Sequence, residues 1–186
     1  MKEPASIRGE YERLGAERFY RESGAGYRNP HEAGIVAVID EAMRRWRPDL
    51  SDVLDLAAGS GEITMMLRNR KAAKVSGVDP FTFEAYENRT GQMAERFSFE
   101  QIADGAMAGR KYSLIVCSFA MHLCEKSRLP ALAVQLSLIS SAMLILTPHK
   151  RPTIRSEWGW MLTGELVVQR IRARMYNSMN VDGTRQ

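Results

Sequence analysis

The chain reads as an α/β protein: a doubly wound, mostly parallel sheet with helices on both faces. Three observations predict this. Short apolar runs alternate with segments of helical apolar spacing. The run Ser113-Leu114-Ile115-Val116-Cys117-Ser118 is apolar enough for a strand buried on both faces, as parallel strands are. A glycine turn, Gly59-Ser60-Gly61, joins one apolar run to the helix that follows it.

The elements follow in order. Residues 9–22 carry Tyr11, Leu14, Phe19 and Tyr20 at loosely helical spacing, and residues 23–31 read as a loop. Pro30 stands near the start of a helix to about Trp46, with Ile35, Val38, Ile39 and Met43 on one face and Pro48 as its stop. Val53–Ala57 is the first strand and Gly61–Arg70 a helix with Ile63, Met66 and Leu67 inward. Lys74–Asp79 is the second strand, Phe83 to about Ala94 a helix, and Phe97–Phe99 a short third strand. Ser113–Ser118 is the fourth strand, Ser127–Ile139 a helix, and Ala142–Thr147 the fifth strand. Such alternation implies right-handed crossovers. After Pro148 the period changes to two: Val168, Arg170, Arg172 and Arg174 alternate with Ile171, Ala173 and Met175, as in a strand with one wet face. Only one convincing strand is legible in this segment.

At 186 residues the length predicts one domain. It divides into an N-terminal lid or helix (1–30), a core (31–150) and an abbreviated C-terminal segment (151–186). Apolar and charged fractions of 45% and 26% are ordinary for a globular chain. The N-terminus has no basic-then-apolar signal pattern. The most apolar stretch, Ala131 to Pro148, is broken by Gln135, Ser137, Ser140 and Ser141, which argues against a membrane span. Cys117 and Cys124 are too few for a disulfide framework or a zinc site, so a cytoplasmic protein with reduced thiols is the simplest expectation. The formal charge of +4 resides wholly in residues 147–186, which carry Lys150, Arg151, Arg155, Arg170, Arg172, Arg174 and Arg185 against Glu157, Glu165 and Asp182. That excess reads either as an anion-binding face or as a charged strand edge.

The unit from Val53 to Asp79 is a strand, a glycine turn, a helix and a second strand ending in a carboxylate. Such a unit holds a nucleoside-containing cofactor at the carboxyl ends of parallel strands. A dinucleotide fits it poorly, because the third glycine of that fingerprint is replaced by Thr64. Gly59 and Gly61 suit close backbone approach or a turn at positive φ. Asp55 stands at the strand end, either receiving a cofactor amino group or organising the loop. Asp79 suits two ribose hydroxyls or the cap of the next helix.

Asp55-Leu56-Ala57-Ala58-Gly59-Ser60-Gly61 resembles the first motif of class I S-adenosylmethionine-dependent methyltransferases. Asp79 resembles their ribose-binding acid, and Ser113 to His122 resembles their fourth-strand motif, although Ser113 stands where the family commonly has Asp. The resemblance implies that Asp55, Ala57, Gly59, Ser60 and Gly61 form the cofactor loop. It implies that Asp79, Pro80 and Phe81 take the ribose and one adenine face. Gln101, with Ile102, or Asp104 three residues later, would read adenine. Cys117, Ser118 and Phe119 would lie beside the methionine end, and His122 on the acceptor side as a catalytic base or substrate-binding residue, unless it is a helix-face packing residue. No Asn-Pro-Pro-Tyr or Asp-Pro-Pro-Tyr follows the fourth strand, which argues against methylation of exocyclic base amines or of glutamine. Tyr20 or Tyr27 would close over the cofactor, with Arg28 meeting its carboxylate. Trp158 and Trp160 either wall an acceptor pocket or pack the core.

Methyl transfer from a sulfonium is an in-line displacement that needs positioning more than acid–base chemistry. The expected acceptor is a small molecule. RNA held by Lys150, Arg151 and the Arg170–Arg174 strand is the alternative. A non-catalytic relative, completed by a partner or a second copy at an exposed sheet edge, is the other. No metal is expected.

Overall fold

The structure, a computed structural model, describes residues 31–181. The expectations on Tyr11, Leu14, Phe19, Tyr20, Tyr27, Arg28 and the N-terminal lid lie outside the described residues. Helix α1 spans Glu32–Trp46 and buries Ile35, Val38, Ile39 and Ala42, the i, i+3, i+4, i+7 stripe of an amphipathic helix. It stops at Arg47, which is left-handed (φ 45°) and donates its amide to the Met43 carbonyl. Strand β1 (Val53–Leu56) leads into α2 (Glu62–Asn69), and β2 (Val75–Val78) into α3 (Phe83–Thr90) and the short α4 (Phe99–Ala103). Strand β3 (Leu114–Ser118) is followed by α5 (Leu129–Ile139), then β4 (Ala142–Thr147), β5 (Trp160–Val168) and β6 (Ile171–Ser178).

These six strands form one sheet in the order β2-β1-β3-β4-β6-β5. β2, β1, β3 and β4 run parallel, and β6 and β5 are antiparallel additions. Alternate residues of each strand face opposite layers. Leu54, Leu56, Ile115, Cys117, Met143 and Ile145 pack with α5, while Val53, Leu114, Val116, Leu144 and Leu146 pack with α1 and α2. Most of these are fully buried, and each full aliphatic burial contributes roughly 1.5–3 kcal/mol. Period two with both faces apolar is why the parallel strands read as unbroken apolar runs.

Two local expectations give way to longer-range structure. Phe97–Phe99 is not a strand. Ser98 caps α4 through a reciprocal pair in which its hydroxyl accepts from the Gln101 amide and the Gln101 carbonyl accepts from the Ser98 amide. What remains of a third strand is one parallel bridge between Val78 and Glu95. The C-terminal antiparallel edge is short in its connection and not in its strands. β5 and β6 have nine and eight residues and are joined at Gln169-Arg170, both at positive φ (48° and 66°). This is the conformation of a tight hairpin turn that usually selects glycine or asparagine, so the sequence carries no signal for it. The two-residue alternation runs through the turn and hides it. The wet face is also drier than its arginines suggest, since Arg174 is buried.

Gly77 in β2 sits under Tyr86 of α3. A Cβ at Gly77 would lie 2.4 Å from Tyr86 Cζ and 2.6 Å from its hydroxyl. Tyr86 is fully buried, so the ring has no solvent to retreat into. We expect Gly77→Ala to destabilise the fold by about 1–3 kcal/mol, measured by urea denaturation. An unchanged midpoint would show that the Tyr86 ring is not held there.

Candidate functional site

The carboxyl ends of β1, β2 and β3 open on a cavity of about 680 Å³. This lies within the range of pockets that enclose a drug-sized ligand. β1 continues into the loop Ala57–Gly61, in which Ala57, Gly59 and Gly61 all have positive φ (55°, 58° and 83°). A left-handed alanine costs about 1 kcal/mol and persists only where its surroundings impose it. Phe119, the residue after β3, is left-handed too (φ 57°), so non-glycine strain stands at two edges of one cavity.

Asp79 ties this end of the sheet together. Its Oδ2 accepts from the Gly59 amide (3.0 Å) and its Oδ1 from the amides of Phe81 (2.9 Å) and Thr82 (2.8 Å). The Thr82 hydroxyl closes the circuit by donating to the Gly59 carbonyl (2.8 Å). A carboxylate has about four acceptor positions, so three amides leave Asp79 with roughly one more. It therefore performs the turn role and also lines the cavity.

Asp55 lies below the loop and does not line the cavity. It is 1% exposed. Its Oδ2 accepts from the Thr64 amide (3.0 Å) and hydroxyl (2.7 Å), and Oδ1 has no hydrogen-bond partner among the described residues. The Thr64 hydroxyl also meets the Tyr86 hydroxyl (3.0 Å), so Gly77, Tyr86, Thr64 and Asp55 form one packed column. Burial, with smaller contributions from Glu62 and Asp79, pushes the Asp55 carboxyl up to about 8, against the lowering effect of the Thr64 hydrogen bonds. The buried Ser60 hydroxyl donates to Glu62, and Arg89 approaches Glu62 at 3.4 Å.

Of the residues expected at a cofactor, the cavity wall contains Ala57, Gly59, Asp79, Pro80, Phe81, Ser118 and Phe119. The Ser118 hydroxyl is buried and has no hydrogen-bond partner among the described residues. Ser60 and Gly61 support the loop from behind; a Cβ at Gly61 would strike Thr90 at 2.4 Å. Cys117 faces the opposite core layer, where burial raises its thiol to about 12. Gln101 is exposed with its carbonyl committed to Ser98, Ile102 is in the core, and Asp104 pairs with Arg128. None of these three lines the cavity. Phe97, Ser98 and Phe99 line it in their place, together with Glu62 and Thr82. Sequence reading missed them because a strand was expected across Phe97–Phe99, although the Ser98–Gln101 capping pair was visible as a spacing.

Beyond Phe119 the edge is rich in imidazole. His31 stacks on the Phe119 ring (5.2 Å between centroids, 24°), and His122 meets His149 edge-on (4.9 Å, 67°). His122 itself is exposed and outside the cavity wall. The protein packed around it, then His149, lowers its pKa below the usual histidine range. Trp160 is buried and donates its indole N–H to the Ala133 carbonyl (2.8 Å), and Trp158 packs beside it, so the tryptophans serve the core. Arg172 and Arg174 both pair with Glu165 on β5. Arg174 also donates to the carbonyls of Pro152 (2.9 Å) and Lys150 (2.8 Å). Among the described residues no group of three His, Cys, Asp or Glu side chains is arranged for a metal, and no helix is long and apolar enough to cross a membrane.

No family model matches the sequence. An uncharacterized protein of Schizosaccharomyces pombe is 29% identical, with 97% of this chain and 95% of that one covered. The structure resembles magnesium protoporphyrin IX methyltransferase of Synechocystis PCC 6803, solved with bound S-adenosylmethionine (TM-score 0.53, 17% identity, 94% and 98% of the two chains). It also resembles an O-methyltransferase family protein of Burkholderia thailandensis (TM-score 0.65, 14% identity, 91% and 62%). The chain thus has the Rossmann-like fold of the class I S-adenosylmethionine-dependent methyltransferases.

A raised Asp55 pKa means that the native state holds a proton the unfolded chain has released between about pH 4 and pH 8. This contribution to stability is fully present below the unfolded value near 4. It is lost as pH rises through 8, at up to about 1.4 kcal/mol per pH unit. Thermal melts of the wild type should therefore fall from pH 5 to pH 8, and Asp55→Asn should flatten that fall. Parallel profiles for the two proteins would rule out a buried protonated Asp55.

Proposed function

We propose that this chain is an S-adenosylmethionine-dependent methyltransferase acting on a small-molecule acceptor. The observation that carries the reading is the closed circuit of Gly59, Asp79 and Thr82 at the mouth of a cavity sized for one ligand and a small partner. The residues present fit the cofactor. Asp79 offers its remaining acceptor position to a ribose hydroxyl, Phe81, Phe97 and Phe99 offer apolar walls to adenine, and the orphan Ser118 hydroxyl offers a hydrogen bond to a polar group. The bound cofactor would supply a methyl group already activated by a positive sulfur.

The protein's own tasks are orientation and exclusion of water. The left-handed Ala57 and Phe119 hold two strand ends in fixed conformations at the cavity edge. His122, neutral near neutral pH through its lowered pKa, stands between the wall residues Ala120 and Leu123 but outside the wall itself, so it would take a proton only from an acceptor hydroxyl or thiol at the cavity rim. His149 and the His31–Phe119 stack make the acceptor edge aromatic. A nucleic-acid acceptor is less well supported, since Arg172 and Arg174 already have an internal carboxylate. The presence of both β5 and β6 likewise removes the missing-strand argument for a completing partner.

The test is calorimetric titration with S-adenosylmethionine. Binding in the micromolar range is expected. Asp79→Ala should weaken it at least tenfold, because a hydrogen bond to a charged group is worth about 1.5–3 kcal/mol, with circular dichroism confirming that the variant is folded. Equal affinity of folded Asp79→Ala and wild type would remove Asp79 from the site.

A further inference from the structure

Three carboxylates surround one loop. Asp55 comes from the strand before Gly59-Ser60-Gly61, Glu62 from the helix after it, and Asp79 from the neighbouring strand. Their environments differ. Asp79 is satisfied by three amides, and Glu62 has Ser60 and Arg89. Asp55 is buried, has two donors on one oxygen only, and pairs with no described lysine or arginine. The other titratable groups around it are Tyr86 of α3 and Cys117 of β3, both neutral near pH 7, with Arg68 on the far side of Tyr86. The carboxyl groups that act on it are Glu62 and Asp79, and no described lysine or arginine pairs with it.

The ligand proposed for this cavity is a cation at its reacting end, and Glu62 and Asp79 both line the same wall. Bringing positive charge next to a buried carboxyl favours its ionised form. We infer that Asp55 is protonated in the free protein and gives up its proton to solvent when S-adenosylmethionine binds, so that cofactor affinity is linked to pH through this one carboxyl. The inference rests on the proposed cofactor reading. No bond other than the O–H of Asp55 breaks, the proton is taken by buffer, and the carboxylate left behind is favoured by the ligand's positive charge acting across the loop, since Asp55 itself does not line the cavity. Asp55 is thereby a positioning residue, coupled to the ligand through the loop and its field.

The size of the effect follows from linkage. With a carboxyl at about 8 in the free protein and one fully ionised in the complex, roughly 0.9 proton is released per cofactor at pH 7. Between pH 6 and pH 7 the Kd should tighten about tenfold. The experiment is titration of the wild-type protein with S-adenosylmethionine in buffers of different ionisation enthalpy at pH 7, beside affinity measured from pH 6 to pH 7. A release near one proton in the wild type, absent in Asp55→Asn, supports the inference. Tight binding with no proton release, and a Kd flat from pH 6 to pH 7, overturns it while leaving the cofactor reading intact. No binding at any pH overturns both. If Asp55→Asn fails to fold, Thr64→Val provides the control. It removes a hydrogen bond that favours the ionised carboxyl, so the affinity profile should move to higher pH, and an unmoved profile would refute the role of Asp55.

Discussion

The Asp79 carboxylate is the tie on which the cavity depends. β1 and β2 deliver two loops to the same edge of the sheet, where backbone pairing ends with the Ala58 amide on the Val78 carbonyl and the Asp79 amide on the Glu95 carbonyl. Asp79 supplies acceptors to an amide of one loop and two amides of the other, and Thr82 returns a bond to Gly59. A buried amide without a partner costs about 1–3 kcal/mol, and Asp79 removes that penalty for the buried Thr82 amide while also satisfying the partly exposed amides of Gly59 and Phe81. The positive φ of Ala57 and Gly59 follows from this arrangement, because only that turn aims the Gly59 amide at the neighbouring strand.

Below the tie lies a column that behaves differently. Gly77 leaves room for Tyr86, Tyr86 meets Thr64, and Thr64 holds one oxygen of Asp55. The two aspartates sit at the ends of adjacent parallel strands with similar burial, yet their surroundings divide their roles. Asp79 meets three amide donors, whereas burial, two carboxyl neighbours and an orphan oxygen suit a neutral Asp55. With burial alike, the donors each carboxylate meets decide that division, and those donors are brought to it by the packed sheet.

The charged C-terminal segment shows the same logic. Arg174 spends its guanidinium on Glu165 and on the carbonyls of Lys150 and Pro152, and so anchors the segment after β4 to the hairpin. Two members of a cluster that reads as an anion-binding face, Arg172 and Arg174, thus form an internal brace. Arg172 shares Glu165, so the edge of the sheet is held by one carboxylate between two cations.

Much was legible in the sequence alone. The alternation of β1 to β4 with helices, the glycine loop, the strand-end position of Asp79 and the apolar stripe of α1 all depend on local spacing, which a linear chain displays. Ala57, Gly59, Asp79, Pro80, Phe81, Ser118 and Phe119 were expected at a cofactor for the same reason, and they line the cavity. Tertiary structure decided the rest. Ser98 and Gln101 form a helix cap where a strand was expected, and Phe97, Ser98 and Phe99 reach the cavity instead of Gln101 and Ile102. The Gln169-Arg170 turn carries no glycine to announce it and is imposed by pairing of β5 with β6. The protonation of Asp55 and the burial of Arg174 depend on neighbours brought together from distant parts of the chain, and burial is the one quantity that sequence order does not contain.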